Sequence, residues 1–256
     1  DAPADFQRLA PSFTVSLQPW QEQLLFLRLM YKSTFRMPTF NDLYYYRLGN
    51  RSLRPEKANE YNMGITWSRS FSSFLNYLSV TVDGYYNDVT DKIVAFPTTY
   101  AWKMANYGKV HVTGMDATLA AAASLGKNMV LVVSGGYTRQ KAIDLTDATS
   151  KSYKDQLPYT PKHSGNVSAV LEMPWVNVGY SIVGVSERYS MSQNIPENRI
   201  DGYMEHTVSL SRNFSFRHCK LRLQAEIINL TDTQYDVIKY YPMPGRSWRL
   251  TGTIEF

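Results

Sequence analysis

Hydrophobic and polar residues alternate along most of this chain, most cleanly at its carboxyl end. In GRSWRLTGTIEF, residues Gly245 to Phe256, one face carries Trp248, Leu250, Gly252, Ile254 and Phe256, and the other carries Arg249, Thr251, Thr253 and Glu255. Period two marks a β-strand with two unlike faces. In KLRLQAEI, Leu221, Leu223, Ala225 and Ile227 oppose Lys220, Arg222, Gln224 and Glu226; further back, Leu78, Val80 and Val82 oppose Ser79, Thr81 and Asp83. Leu25, Leu27, Leu29 and Tyr31 oppose Arg28 and Lys32, with Phe26 and Met30 blurring the pattern, and both faces are apolar around Met129 to Val133. The pattern predicts about eleven strands, near 12–18, 23–36, 58–71, 77–93, 107–123, 128–141, 163–173, 176–191, 202–214, 219–229 and 246–256. Several exceed the usual strand length of a globular protein. The Ala-rich stretch Ala117 to Ala123 has a helical composition, but the residues before it alternate like a strand, and no helix-period segment of useful length is evident.

The connections sort by length. Segments 230–245, 192–201, 142–162, 94–106 and 37–57 are long, whereas 215–218, 174–175, 124–127, 72–76 and 19–22 are short, and the two kinds alternate. Tight turns at one end and long loops at the other are the pattern of a membrane-spanning barrel. A soluble barrel or sandwich has no cause to sort its loops in this way. The predicted fold class is therefore all-β, a transmembrane antiparallel up-and-down β-barrel. Lipid offers no partner for backbone donors and acceptors, so such a sheet must close. A charge on the lipid side near mid-membrane costs about 2–4 kcal/mol, which assigns Arg222 and Glu226 to the lumen. A terminal Phe is out of place on a soluble sheet and at home at a lipid boundary. Trp20, Tyr77, Trp175 and Trp248 suit interfacial girdles, although each is equally at home in an ordinary sheet.

Composition narrows the function classes. The 256 residues include 19 Tyr and carry a formal charge of +5. No apolar run approaches the roughly 18 residues of a membrane helix. Lys and Arg are dispersed, which argues against nucleic acid as a partner. The one cysteine, Cys219, precludes an internal disulfide. His111, His163, His206 and His218 lack metal-ligand spacing, so no metal is expected. The adjacent His163 and Ser164 are read as structural residues, and no phosphate-binding glycine loop is present. Neither an enzyme nor a cofactor is expected. The opening DAPADFQRLAP lacks the basic start and apolar core of a signal peptide.

Residues 35–64 contain FRMPTFNDLYYYRLGNRSLRPEKANEYNMG. This resembles the TonB-dependent outer-membrane receptors, whose barrels carry F-R-x-P-x-F-x-[DE]-L-Y followed by G-N-x-x-L-x-P-E. Phe35, Arg36, Pro38, Phe40, Asp42, Leu43 and Tyr44 fit the first element, and Gly49, Asn50, Leu53, Pro55 and Glu56 the second; Tyr61 and Gly64 follow in place. NYGKVHVTGMD (Asn106 to Asp116), LPYTPKHS (Leu157 to Ser164) and INLTDTQYDVIKYYPMPGR (Ile228 to Arg246) are similar to further family elements, in the same order. The resemblance implies a plugged 22-stranded barrel. About eleven strands are half of that, and an odd number cannot close antiparallel, so residues 1–256 are expected to be the carboxyl-terminal part of the barrel, with the plug and the amino-terminal strands absent.

The implied function is active uptake of a scarce nutrient (iron-siderophore, cobalamin or heme) at the Gram-negative cell outer membrane, powered by the TonB complex through the plug. A passive porin or surface adhesin is the alternative. The implied partners also include the barrel-assembly machinery, membrane lipid and a surface lipoprotein. Candidate ligand contacts are the loop aromatics Tyr44, Tyr45, Tyr46, Tyr100 and Trp102, with interfacial girdle or loop packing the plainer reading of each one taken singly. The candidate assembly signal is Trp248, Leu250, Ile254 and Phe256. Residues 37–52 hold no His, which disfavours a heme ligand there.

Overall fold

The computed structural model describes residues 8–20, 24–72, 74–97, 101–126, 128–217 and 219–255. Among these, eleven strands form one antiparallel sheet. They are β1 (Ser12–Leu17), β2 (Leu24–Arg36), β3 (Glu56–Ser70), β4 (Leu75–Pro97), β5 (Trp102–Ser124), β6 (Val130–Asp144), β7 (His163–Glu172), β8 (Asn177–Val185), β11 (Tyr203–Ser215), β12 (Lys220–Ile228) and β15 (Ser247–Glu255). Each predicted strand is present, and Ala117 to Ala123 lie within β5. Two small ribbons, β9 (Arg188–Tyr189) with β10 (Arg199–Ile200) and β13 (Asp236–Ile238) with β14 (Tyr241–Pro242), decorate the last two long loops. The sheet is a meander whose edges are β1 and β15, and these do not pair with each other.

Register puts the alternation to use. Arg28 of β2, Gly64 of β3 and Asp83 of β4 stand in one cross-strand row. Arg28 Nη2 meets Asp83 Oδ1 at 3.0 Å across the intervening strand. It can do so because Gly64 has no side chain; a Cβ there would collide with the Asp83 carboxylate. The polar face continues through Thr66 and Thr81 (3.0 Å) and Ser68 and Ser79 (2.7 Å). It extends to Thr138 on Asp116 and to a two-pronged Arg249–Glu226 pair. Arg222 shares the face of Glu226, opposite Leu221 and Leu223. The wall is one layer thick, so its apolar residues face outward and find no protein to cover them.

Burial against protein is concentrated at the long-loop end. Ala58, Val89, Tyr107, Val110, Val112 and Ala142 cluster there with Leu157, brought in from the loop 145–162. Leu53, Ile93 and Met104 make a second cluster.

Two expectations need correction. Residues 94–106 are mostly strand: β4 and β5 run 23 residues each and stay paired from Ile93↔Asn106 to Pro97↔Trp102. At roughly 3.3 Å per residue the hairpin reaches about 75 Å, against a hydrocarbon layer of about 30 Å. It is held by burial of Ile93 and Met104 against Leu53. The strand expected over 176–191 stops at Val185; Arg188 and Tyr189 turn away to pair with Ile200 and Arg199. The first long loop holds a short helix, α1 (Phe40–Tyr44), started by a reciprocal cap: Asp42 N donates to Thr39 Oγ1 and Thr39 N to Asp42 Oδ2. Such a cap satisfies two of the donors that a helix start leaves free.

Candidate functional site

The long loops build a mouth on the wall. In the first, 37–55, Arg36 Nη2 donates to Asp42 Oδ2 at 2.7 Å, and Arg36 and Lys92 both approach Glu56. Burial pushes the Asp42 carboxyl up, but the hydrogen bonds from Thr39 and the Arg36 guanidinium outweigh it, so the group stays below its ordinary range. Gly49 lies against the backbone nitrogens of Tyr44 and Tyr45, where a Cβ would stand only 2.7 Å away, so the loop folds back there only with glycine. Its far side is tied to the β4–β5 hairpin: Met104 N donates to Leu48 O, Asn50 Nδ2 to Met104 O, and Arg54 N to Asn106 Oδ1. Arg54 also grips Asp91 with two nitrogens.

This places the sequence-predicted aromatics in two groups. Tyr44, Tyr45 and Tyr46 stay exposed on the first loop. Tyr44 packs on Phe40 at 4.9 Å and takes the Arg51 guanidinium over its ring; Tyr46 takes that of Arg47. Trp102, at the start of β5, faces Tyr159 of the loop 145–162 at 5.5 Å. Tyr100 lies outside the described residues, as does Phe256. Trp248, Leu250 and Ile254 project from the edge strand β15, exposed on its apolar face.

The remaining loops are clasped by residues that sequence reasoning did not single out. Gln156 is buried, accepting from Ala142 N and donating to Thr160 O, while its backbone exchanges two hydrogen bonds with the Asn194 amide. Tyr107 Oη reaches Ser192 Oγ at 2.9 Å, and burial pushes that phenol up. Arg188 is buried, and no carboxylate among the described residues pairs with it. Its guanidinium donates to the carbonyls of Asp236 and Val237 and lies over the Tyr203 ring. Tyr203 stacks on Tyr235 at 3.9 Å, and Tyr235 Oη donates to Glu205 Oε2 at 2.6 Å. Burial, reinforced by the Glu205 charge, pushes the Tyr235 phenol well up and keeps it a donor.

Asn229 anchors the last loop. It is fully buried with φ of 53°, accepts from Thr233 N, and donates to the carbonyls of Thr233 and Pro244. Asp232 Oδ1 accepts from Arg246 N, closing the loop at its base. The sequence signal for both was the N-L-T-D element; none announced Arg188. Between the last two loops lies a cavity of about 330 Å³ edged by Arg199, Asp201, Gln234, Asp236, Lys239 and Tyr240. The Lys239 ammonium closes one side by donating to Glu197 O. No three His, Cys, Asp or Glu among the described residues are gathered to hold a metal ion. The mouth therefore offers aromatic faces, guanidinium groups and a polar cavity: equipment for holding a ligand.

One open antiparallel wall, polar on one face, apolar on the other and crowned at one end by clasped loops, defines part of an up-and-down membrane barrel. The family described as TonB dependent receptor-like, beta-barrel, matches residues 1–230, and the chain belongs to it. The chain is similar to the vitamin B12 transporter BtuB of Photobacterium profundum, 26% identical over 230 residues that cover 87% of this chain and 34% of the relative. The BtuB of Vibrio vulnificus is likewise 26% identical over 87% of this chain and 33% of its own length. The chain thus spans about a third of these relatives. In fold it is similar to the copper transporter OprC (TM-score 0.71, 15% identity, 95% of this chain and 38% of that one). It is also similar to the unliganded ferric citrate transporter FecA (TM-score 0.70, 16% identity, 95% and 37%).

Proposed function

We propose that this chain is the carboxyl-terminal part of the barrel of an outer-membrane receptor that takes up a scarce nutrient by TonB-powered transport. Family membership supports receptor function, and relatives carry the name of vitamin B12 transporters. The observation that carries the reading is the mouth. A passive pore needs an open rim, whereas here four loops are clasped to one another and to an extended hairpin, with aromatic and guanidinium groups left exposed. Such a preformed surface suits capture of a bulky ligand. Iron-siderophore, cobalamin and heme are the candidate nutrients. Tyr44, Tyr45, Tyr46 and Trp102 supply stacking faces from two sides of the mouth, and the ligand is carried rather than transformed.

In the complete barrel β15 pairs with the first strand, and its outward Trp248, Leu250 and Ile254, with Phe256, serve as the assembly signal. TonB acts through the plug; a surface lipoprotein assists with some ligands.

Uptake of labelled cyanocobalamin, ferric siderophores and hemin is the test, in a strain lacking the gene, complemented or not, with and without TonB. One nutrient should accumulate only when both receptor and TonB are present. Accumulation that persists without TonB would make this a passive barrel. Alanine at Tyr44, Tyr45, Tyr46 and Trp102 together should weaken ligand binding by about tenfold or more. Unchanged affinity would remove these residues from the ligand site.

A further inference from the structure

The outward face of the wall carries an ordered band that ligand capture does not use. Tyr31, Tyr61 and Tyr86 stand side by side on β2, β3 and β4, with ring centres 5.1 and 6.1 Å apart. His111 follows on β5, its Nε2 near Tyr86 Oη and 3.2 Å from Asp88 Oδ1. The pairing then repeats: Tyr137 Oη shares a hydrogen bond of 2.7 Å with His163 Nδ1, and Tyr180 Oη one of 2.7 Å with His206 Nδ1. Tyr61, His163 and His206 lie toward the long-loop end of their strands, and Tyr86 and Tyr137 at the middle of theirs.

Two features mark out the β6–β8 sector. First, Arg139 and Lys141 project from β6 on the same face as Tyr137, one and two outward positions nearer the loops, and Arg139 is in register with His163. Neither takes part in an ion pair among the described residues. Second, Gly165 and Gly184 are in register on β7 and β8, which interrupts the outward side chains. The gap is an apolar trough of about 430 Å³, walled by Tyr137, Val167, Ile182 and Met204, and His163 stands at its loop end. A cationic pair thus sits above an acyl-sized slot.

We propose that this sector is a binding site for a phosphate-bearing lipid of the outer leaflet. Its phosphate is held by Arg139 and Lys141, and an acyl chain lies in the Gly165–Gly184 trough. The inference rests on the membrane-barrel reading. Charge complementarity selects the occupant. A guanidinium and an ammonium at the lipid boundary without protein partners need an anion there, and a guanidinium matches phosphate oxygens two at a time. Residues two apart on a strand are about 6.7 Å apart, so Arg139 stands just above the aromatic level, where headgroups meet acyl chains. The trough admits a chain only because both registered positions lack a Cβ. Neither half alone selects a ligand: a neutral lipid leaves the cations unmet, and a soluble phosphate leaves the trough empty.

The test is native mass spectrometry of the intact receptor, released from bilayer nanodiscs containing diphosphoryl lipid A, its monophosphoryl derivative or phosphatidylcholine alone. Heat-modifiable gel migration establishes insertion in each sample. The diphosphoryl lipid should remain bound, the monophosphoryl form less, and phosphatidylcholine should be lost; inorganic phosphate should not compete. R139Q/K141Q should weaken retention by about tenfold or more, and R139K/K141R should keep most of it. Gly184→Leu, whose Cβ meets only Met204 Cγ at 3.7 Å, fills the trough without disturbing the backbone. It should displace the lipid while the cations remain. Retention of phosphatidylcholine equal to that of diphosphoryl lipid A, or full retention by R139Q/K141Q, would overturn the site and leave the barrel standing. Failure of the receptor to insert would overturn both.

Discussion

The wall and the mouth of this protein are built from the same strands by opposite means. Along the wall each strand is amphipathic at period two, and its apolar side chains have no protein cover. Leu223, Leu250 and Met204 stay exposed, because lipid tails are as apolar as a protein core and serve in its place. At the mouth the same β3, β4, β5 and β6 continue past that level, and water makes the arrangement untenable. There Ala58, Val89, Val110, Val112 and Ala142, on the face that lower down carries Arg28, Asp83 and Asp116, meet one another and Leu157 and become a core. The comparison teaches that barrel strands keep their pairing as they pass from one solvent to another. They change what covers their side chains, and the covering comes from loops.

If that is right, substitutions of similar size should act very differently in the two regions. The largest effect belongs to Asn229→Leu. The change strands the partners of three hydrogen bonds and puts a branched side chain at a positive φ, for a local cost of about 3 kcal/mol or more. Amide exchange across 229–246 should accelerate by about a hundredfold, with gel migration of the folded barrel unchanged. Equal protection in mutant and wild type would mean that the last loop is held by something else. Next, Leu157→Ala should cost about 2–4 kcal/mol by opening a cavity in the mouth core. Leu223→Ala on the wall should cost less than half as much, since lipid fills the space. Matching losses in chemical denaturation would erase the distinction drawn here. Smaller still is Arg249→Gln. Its pair with Glu226 lies on the polar face with the guanidinium half exposed, so the loss should stay within about 1 kcal/mol.

The smallest and most local effect concerns pH. Asp42 is held below its ordinary value of 3.8, so its contribution to the first loop is complete above that value and lost as pH falls through the lowered one. Proteolytic nicking of 37–55 should rise only in that acid range, and Asp42→Asn should abolish the pH dependence. A rise beginning near neutrality would implicate another group.

The wall was legible in the sequence because one rule, alternation, governs every strand between two fixed solvents. Even the row from Arg28 to Asp83 follows once the register is known. The mouth was less legible because its order comes from contacts between distant segments. The Arg188 contacts with Asp236 and Val237 join residues 48 and 49 positions apart with no periodic trace. The β4–β5 hairpin was cut short in the reading because Ile93 and Met104 answer to a loop residue, Leu53, rather than to lipid. The helix α1 could have been found: Thr39 and Asp42, three apart before Leu43 and Tyr44, make a cap signature. His111, His163 and His206 looked scattered because each finds its tyrosine only through strand pairing. Tyr44 to Tyr46 and Trp102 were located as surface aromatics, but nothing in their spacing told that Trp102 would take Tyr159 as its neighbour.

The meander order has a consequence for how such a wall comes into being. Each of the eleven strands lies beside the sheet strand that precedes it in the chain, and only the small ribbons are stepped over. Contact order is therefore low for an all-β protein, and loop closure costs little at each addition. The free border of a partly made sheet already presents the backbone template for the next hairpin, so growth is sequential and self-guiding. A strand that fails to add stops everything beyond it, which makes the quality of each short turn a checkpoint for the whole surface.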